Sequence, residues 1–233
     1  MKYTGRYNNC QLGSHGWAME RGRPRGFDID TALDQALAVF WRDGFQGASL
    51  AELTAAMGIN KPSLYAAFGD KEGLYLKALA RYAQVTAQQS IEILEAGTSA
   101  RRAVEDFLRR SARNLVDPAL PGGCFVVNGI ADCQLSATPP AVAAALRDAM
   151  CGSEAPLRAR LQRAQAAGEL PASADVDALA TFFNAVVAGM GVLAKGGVRR
   201  AKLDTVVDAA LACWPQPNKR ARPPGAVQRS PAM

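Results

Sequence analysis

From Asp28 onward, apolar residues recur at helical spacing along almost the whole chain. Ile29, Leu33, Ala36 with Leu37, and Phe40 fall at i, i+4, i+7/8 and i+11, one stripe of an amphipathic helix. Asp28 and Asp30 suit the positive end of that helix, and Gly44 is expected to end it. Ser49-Leu50-Ala51-Glu52 then reads as a capping box, in which Ser49 and Glu52 satisfy each other's orphan amides. The short helix behind it carries Leu50, Leu53 and Met57 and stops at Gly58. Asn60 caps a third helix with Lys61 and Pro62 in its first turn, where a missing amide costs nothing. It runs through Ser63, Leu64 and Tyr65 to about Phe68.

Past Gly69-Asp70 the same period predicts helices over 71–96, 99–116, 124–134, 139–170, 175–194 and 201–214. A Pro/Gly break from Pro118 to Gly123 precedes the helix over 124–134, and the helix over 139–170 is expected to be dented near Gly152 and Pro156. No segment alternates with period two and no internal repeat is visible. The chain is expected to be all-α, with about nine helices.

Composition sharpens this picture. Hydrophobic residues make up 49% of 233, enough for a real core and for two units of unequal size. The most apolar stretch, 178–194, is broken by Thr181, Asn184, Gly189 and Gly191, so it reads as a buried helix and no membrane span is expected. The N-terminus shows no apolar leader, and the five cysteines are scattered without a disulfide or CxxC pattern, so a reducing cytoplasm is the expected home. Residues 1–27 and 215–233 together hold eight net positive charges, against +6 for the whole chain. The body between them is therefore at −2, and the excess sits on two arms. Residues 1–20 show no periodicity and read as a disordered arm, with Met19 a candidate natural start. The Pro/Arg-rich 215–233 reads as a solubilising basic tail. Arg21, Arg23 and Arg25 abut the first helix, where a basic arm adds phosphate contacts.

A supporting helix followed by two short helices around a tight glycine turn describes a helix-turn-helix, expected within 21–71. The brace helix needs small and apolar residues, supplied by Ala51, Leu53, Ala55 and Ala56. Gly58 gives a left-handed turn at little cost. The third helix must present its first residues to base edges in the major groove, where Lys61, Ser63 and Tyr65 can donate. Ser49 and Lys71 stand at helix starts that suit phosphate.

Here a resemblance becomes specific. Phe40, Gly44-Phe45, Ser49, Leu53, Gly58, Leu64-Tyr65, Phe68 and Lys71 stand where the TetR family of transcriptional regulators has its DNA-binding pattern, over about fifty residues. Leu53-Thr54 replaces the usual Ile-Ala, and Ala67 replaces a usual histidine, removing one phosphate donor. The resemblance implies that Ser49, Tyr65 and Lys71 contact phosphate, that Lys61, Pro62 and Ser63 face bases, and that Phe40, Leu53, Leu64 and Phe68 form the small core. Packing of Tyr65 against the first helix is the plainer alternative.

For 72–214 the resemblance implies a helical ligand-binding and dimerisation unit, whose last two helices make a four-helix bundle with a second copy. The apolar helix through Leu179, Phe182, Phe183, Val186, Val187, Met190 and Leu193 agrees, with Ala185, Ala188, Gly189 and Gly191 allowing close approach. Two readers roughly 34–36 Å apart read a palindrome. The expected partners are thus double-stranded operator DNA, a second copy and a small-molecule effector, with no cofactor and no metal.

Cys124 follows Gly122-Gly123 at a helix start, where the dipole favours a thiolate, and the Gly-Cys opening resembles a subgroup of the family, some of whose members sense electrophiles or oxidants. A small buried cysteine filling a core gap is the plainer alternative. Cys133, nine residues on, faces the other way on a continuous helix, so no disulfide between them is expected. Tyr82, Phe107, Phe125, Asn128 and Phe183 join Cys124 as pocket candidates, combining apolar walls with a few polar groups. An all-helical enzyme is the first rival. The only histidine, His15, lies in the arm, and no GxSxG, HExxH, Walker A or GxGxxG context exists. A helical scaffold, the second rival, leaves Lys61-Pro62-Ser63-Leu64-Tyr65 behind a capped brace unexplained.

Overall fold

The computed structural model describes residues 27–97, 99–133 and 138–215. Among these described residues there are ten α-helices and no strand: α1 (Ile29–Gly47), α2 (Leu50–Met57), α3 (Lys61–Phe68), α4 (Lys71–Leu94), α5 (Ala100–Leu115), α6 (Phe125–Cys133), α7 (Pro140–Gly152), α8 (Ala155–Ala166), α9 (Val176–Lys195) and α10 (Arg200–Ala212). The fold is all-α, as the periodicity predicts. The helix expected over 139–170 is instead two, α7 and α8. Pro156 falls in the first turn of α8, where its missing amide is harmless, but it could not have continued α7.

The caps form as the sequence pattern requires. The Glu52 amide donates to Ser49 Oγ at 3.1 Å and the Ser49 amide donates to Glu52 Oε2 at 3.0 Å. The Ser49 hydroxyl, which donates to Glu52 Oε2, and then the Ser49 amide hold the Glu52 carboxyl below its ordinary value of 4.5. Gly58 turns left-handed at φ 65°, and Asn60 accepts the Ser63 amide at 2.9 Å. As expected, the regular run of α1 stops at Gly44. The helix kinks there, with Gly44 at φ 71° and ψ 178°, and resumes to Gly47. That conformation is open essentially to glycine alone. A Cβ at Gly44 would also lie 2.5 Å from Asp132 Oδ2, so α6 fits against the kink.

Two buried cores result. The first joins α1, α2, α3 and the start of α4 through Phe40, Trp41, Leu53, Leu64, Phe68 and Tyr75. It continues without a seam into Phe125 and Val126 of α6 and Val142 and Leu146 of α7. The second is built by α5, α8, α9 and α10 around Leu108, Leu161, Phe183, Met190 and Val207. By length and composition alone α9 is long and apolar enough to cross a bilayer. Ala180, Phe183 and Met190 of α9 are nevertheless part of this second core. On its outer side Phe182, Val192 and Leu193 are exposed.

Candidate nucleic-acid interface and the cleft behind it

Helix α3 has one buried face, Leu64 and Phe68, and one face turned outward. Lys61, Pro62 and Tyr65 are exposed, and Ser63 is half-buried. Tyr65 is 47% exposed, so its ring is not spent on packing against α1. Ser49 is exposed at the start of α2, with its hydroxyl donating to Glu52 Oε2 at 2.7 Å. Lys71 opens α4, its Nζ 4.8 Å above the Phe45 ring and donating to the Gln46 carbonyl at 3.4 Å. Partial burial lowers its ammonium from the ordinary 10.5. The kink at Gly44 puts Phe45 and Gln46 beneath Lys71. Arg23 and Arg25, with the arms 1–20 and 216–233, lie outside the described residues.

Behind this face a cleft of about 300 Å³ opens between α1, α4, α5 and the loop leading into α6. Its walls include Leu37, Trp41, Tyr82, Val85, Leu115 and Cys124. The cleft lies where the two cores meet, and Cys124 packs against both. Three contacts tie its walls together. Trp41 Nε1 donates to the Gly122 carbonyl at 3.1 Å. Arg81 Nε donates to Asp34 Oδ1 at 2.6 Å and its Nη2 to Asp34 Oδ2 at 3.0 Å. Tyr82 Oη lies 3.5 Å from Cys124 Sγ. Burial first, then the neighbouring sulfur, push the Tyr82 hydroxyl well above its ordinary value of 10. It therefore stays protonated and able to donate.

The pocket candidates separate on this geometry. Tyr82 and Cys124 line the cleft. Phe125 is buried beneath it, its ring 5.5 Å from that of Tyr82. Asn128 turns away, its Nδ2 donating to the Gly122 carbonyl at 3.3 Å, and so holds the loop rather than lining the cleft. Phe107 and Phe183 belong to the second core, where Phe183 meets Trp214 at 6.0 Å. Periodicity marks all three phenylalanines as apolar but cannot say which core they enter. What the sequence reading missed is α1 itself: Asp34, Leu37, Ala38 and Trp41 form one wall. The signal was there, since Leu37 and Trp41 widen the α1 stripe beyond what the three-helix core needs.

A capped brace helix and an outward third helix, set on a helical body, define a helix-turn-helix regulator of DNA. Comparison with known proteins places it further. Residues 32–78 match the family described as bacterial regulatory proteins, tetR family, and residues 99–210 match the tetracyclin repressor-like C-terminal domain. The HTH-type transcriptional repressor ComR of Escherichia coli is 35% identical over 84% of this chain and 93% of its own length. The TetR family transcriptional regulator CifR, solved as a cysteine mutant with 26 bp double-strand operator DNA, is 44% identical. It covers 83% of this chain and all of its own, at a TM-score of 0.77. E. coli NemR in its reduced form shares the fold at 20% identity and a TM-score of 0.71, over 80% of this chain and 98% of its own. The chain belongs to the TetR family of transcriptional regulators, which are DNA-binding proteins and not enzymes.

Proposed function

We propose that the protein is a cytoplasmic repressor that binds a palindromic operator as a homodimer and is released when its cleft is occupied or its thiol modified. The observation that carries this reading is that the core beneath α3 and the wall of the cleft share one helix, α1. Trp41 and Leu37 line the cleft, and Phe40 of the same helix is buried in the reader core. In this reading Lys61, Pro62 and Ser63 face bases. Ser49, Tyr65 and Lys71 hold phosphates, aided by Arg23 and Arg25. Residues 21–71 act as the reader, and 72–214 as the effector and dimer unit. CifR, complexed with operator DNA at 44% identity, supports the DNA assignment.

Dimerisation is supported by α9, whose exposed Phe182, Val192 and Leu193 line up with the exposed small residues Ala185 and Gly189. An apolar stripe of that kind is uncommon on a monomer. Gel shift with DNA upstream of the protein's own gene tests the proposal. The ligand-free protein should give a salt-sensitive, sequence-specific shift that Lys61→Ala or Tyr65→Ala weakens, with the dimer intact by light scattering. Loss of the dimer in those variants instead would sink the assignment of roles. Thiol sensing is supported by Cys124 at the junction of the two cores, beside a protonated Tyr82 hydroxyl. Cys124→Ser should abolish release by a thiol reagent, whereas Cys151→Ser and Cys213→Ser, at exposed positions, should not.

A further inference from the structure

We infer that the effector taken by this cleft is a small apolar acid, one carboxylate on a compact ring or chain, paired with Arg110 and seated against Trp41. The inference rests on reading the cleft as the effector site. Volume sets the first limit, since about 300 Å³ lies at the lower end for ligand pockets and suits about ten to fifteen non-hydrogen atoms. The walls set the second. Leu37, Trp41, Val85 and Leu115 present apolar surface, so most of the ligand is apolar too.

Charge decides the class. Four ionisable side chains that carry charge at neutral pH reach the cleft: Asp34, Arg81, Arg110 and Asp117. Asp34 is taken up by both arms of Arg81, which also reaches Asp30 at 3.3 Å. Asp117 accepts the Ala119 amide at 2.9 Å within its own turn. Arg110 makes no ion pair or hydrogen bond among the described residues. Asp106, one turn before it, is held by Arg102 at 3.0 Å. Ser111 and Asn114, beside and one turn after Arg110 on α5, also line the cleft with side chains that bond nothing among the described residues. A free guanidinium flanked by a free hydroxyl and a free amide is a donor set for a carboxylate. For a cationic ligand the one acid of the cleft without a cationic partner among the described residues is Asp117, which accepts a single backbone amide, whereas Arg110 comes with Ser111 and Asn114 beside it. The opposite wall belongs to α1, so such a ligand touches the reader's first helix directly through Trp41.

The test uses the full chain bound to DNA from upstream of its gene, titrated with phenylacetate, phenylacetamide and phenethylamine. Tryptophan fluorescence is read in wild type and in Trp41→Phe, and DNA release by anisotropy. Phenylacetate should bind about tenfold more tightly than the amide and the amine, the scale of one charge-assisted hydrogen-bonded contact. The Arg110→Gln variant, at an exposed position, should keep its DNA affinity and lose that preference. Equal or tighter binding of the amide or amine overturns the acid assignment and leaves the cleft reading standing. An unchanged preference in Arg110→Gln overturns it equally. If none of the three alters the Trp41 signal at millimolar concentration, the cleft reading falls and this inference falls with it.

Discussion

The two buried cores are made of different material, and the difference bears on how a signal reaches DNA. The first is aromatic. Phe40, Trp41, Phe45, Tyr75, Tyr82 and Phe125 form one connected set of ring contacts, from 4.9 Å between Phe40 and Tyr75 to 6.4 Å between Phe40 and Phe45. The second is mostly aliphatic and small, with Ala100, Ala103, Ala112, Ala164 and Ala180 all buried among leucines and valines. Alanines let helices approach closely and leave little to rearrange. Large rings bury much surface in preferred edge-to-face and tilted arrangements, so displacing one shifts its neighbours. The aromatic core reaches from under α3 to the floor of the cleft. The aliphatic core supports the outer stripe on α9.

The largest effect should come from Phe125→Ala. Phe125 is 1% exposed and touches Trp41, Tyr75 and Tyr82, so truncation should cost about 3–5 kcal/mol in chemical denaturation. Hydrogen exchange should speed up in α2 and α3, although Phe125 is distant from them in sequence. Leu161→Ala in the second core should cost about 2–5 kcal/mol and leave exchange in α2 and α3 closer to wild type. Equal acceleration in both variants would erase the distinction between the cores.

Next in size is Gly44→Ala, expected to cost about 1–3 kcal/mol in backbone strain, with a further contribution from the Asp132 carboxylate. Pairing it with Asp132→Ala should recover the second part only. Complete recovery in the double variant would mean that the kink itself carries no strain.

Lys71→Met separates binding from folding. Operator affinity should fall severalfold, and the slope of affinity against salt should drop by about one. Thermal stability should hold or rise, because burial already disfavours the Lys71 ammonium. A parallel loss of stability would make Lys71 a structural residue first.

The smallest effect is the Ser49–Glu52 capping box. The carboxyl of Glu52 is lowered in the folded chain, so its stabilisation is present above the unfolded value and is lost as pH falls through the lower folded value. In Glu52→Gln the acid limb of the stability profile should flatten slightly. An unchanged limb would assign acid sensitivity to other carboxylates, such as Asp28, which is lowered by the Thr31 amide.

The reader was legible in the sequence because its physics is local. Caps, a left-handed glycine and a proline in a first turn each act within four residues, and Ser49, Gly58, Asn60 and Pro62 take the predicted places. Gly44 was legible as the end of the regular helix, but the short turn from it to Gly47 was not. The cleft was largely illegible because its walls come from four separate segments. Trp41 and Gly122 are 81 residues apart, and Asp34 and Arg81 are 47. Tyr82 and Cys124 were found through their chemistry, whereas Phe107 and Phe183 answer the same description and lie in the second core.

Hydroxyl-radical footprinting of the purified protein on DNA upstream of its own gene tests the central claim most directly. A homodimer reading a palindrome through two α3 helices should protect two symmetric patches about one helical turn apart, roughly 34–36 Å. Both patches should vanish together in Tyr65→Ala. A single protected patch, or an unchanged footprint in that variant, would contradict the claim.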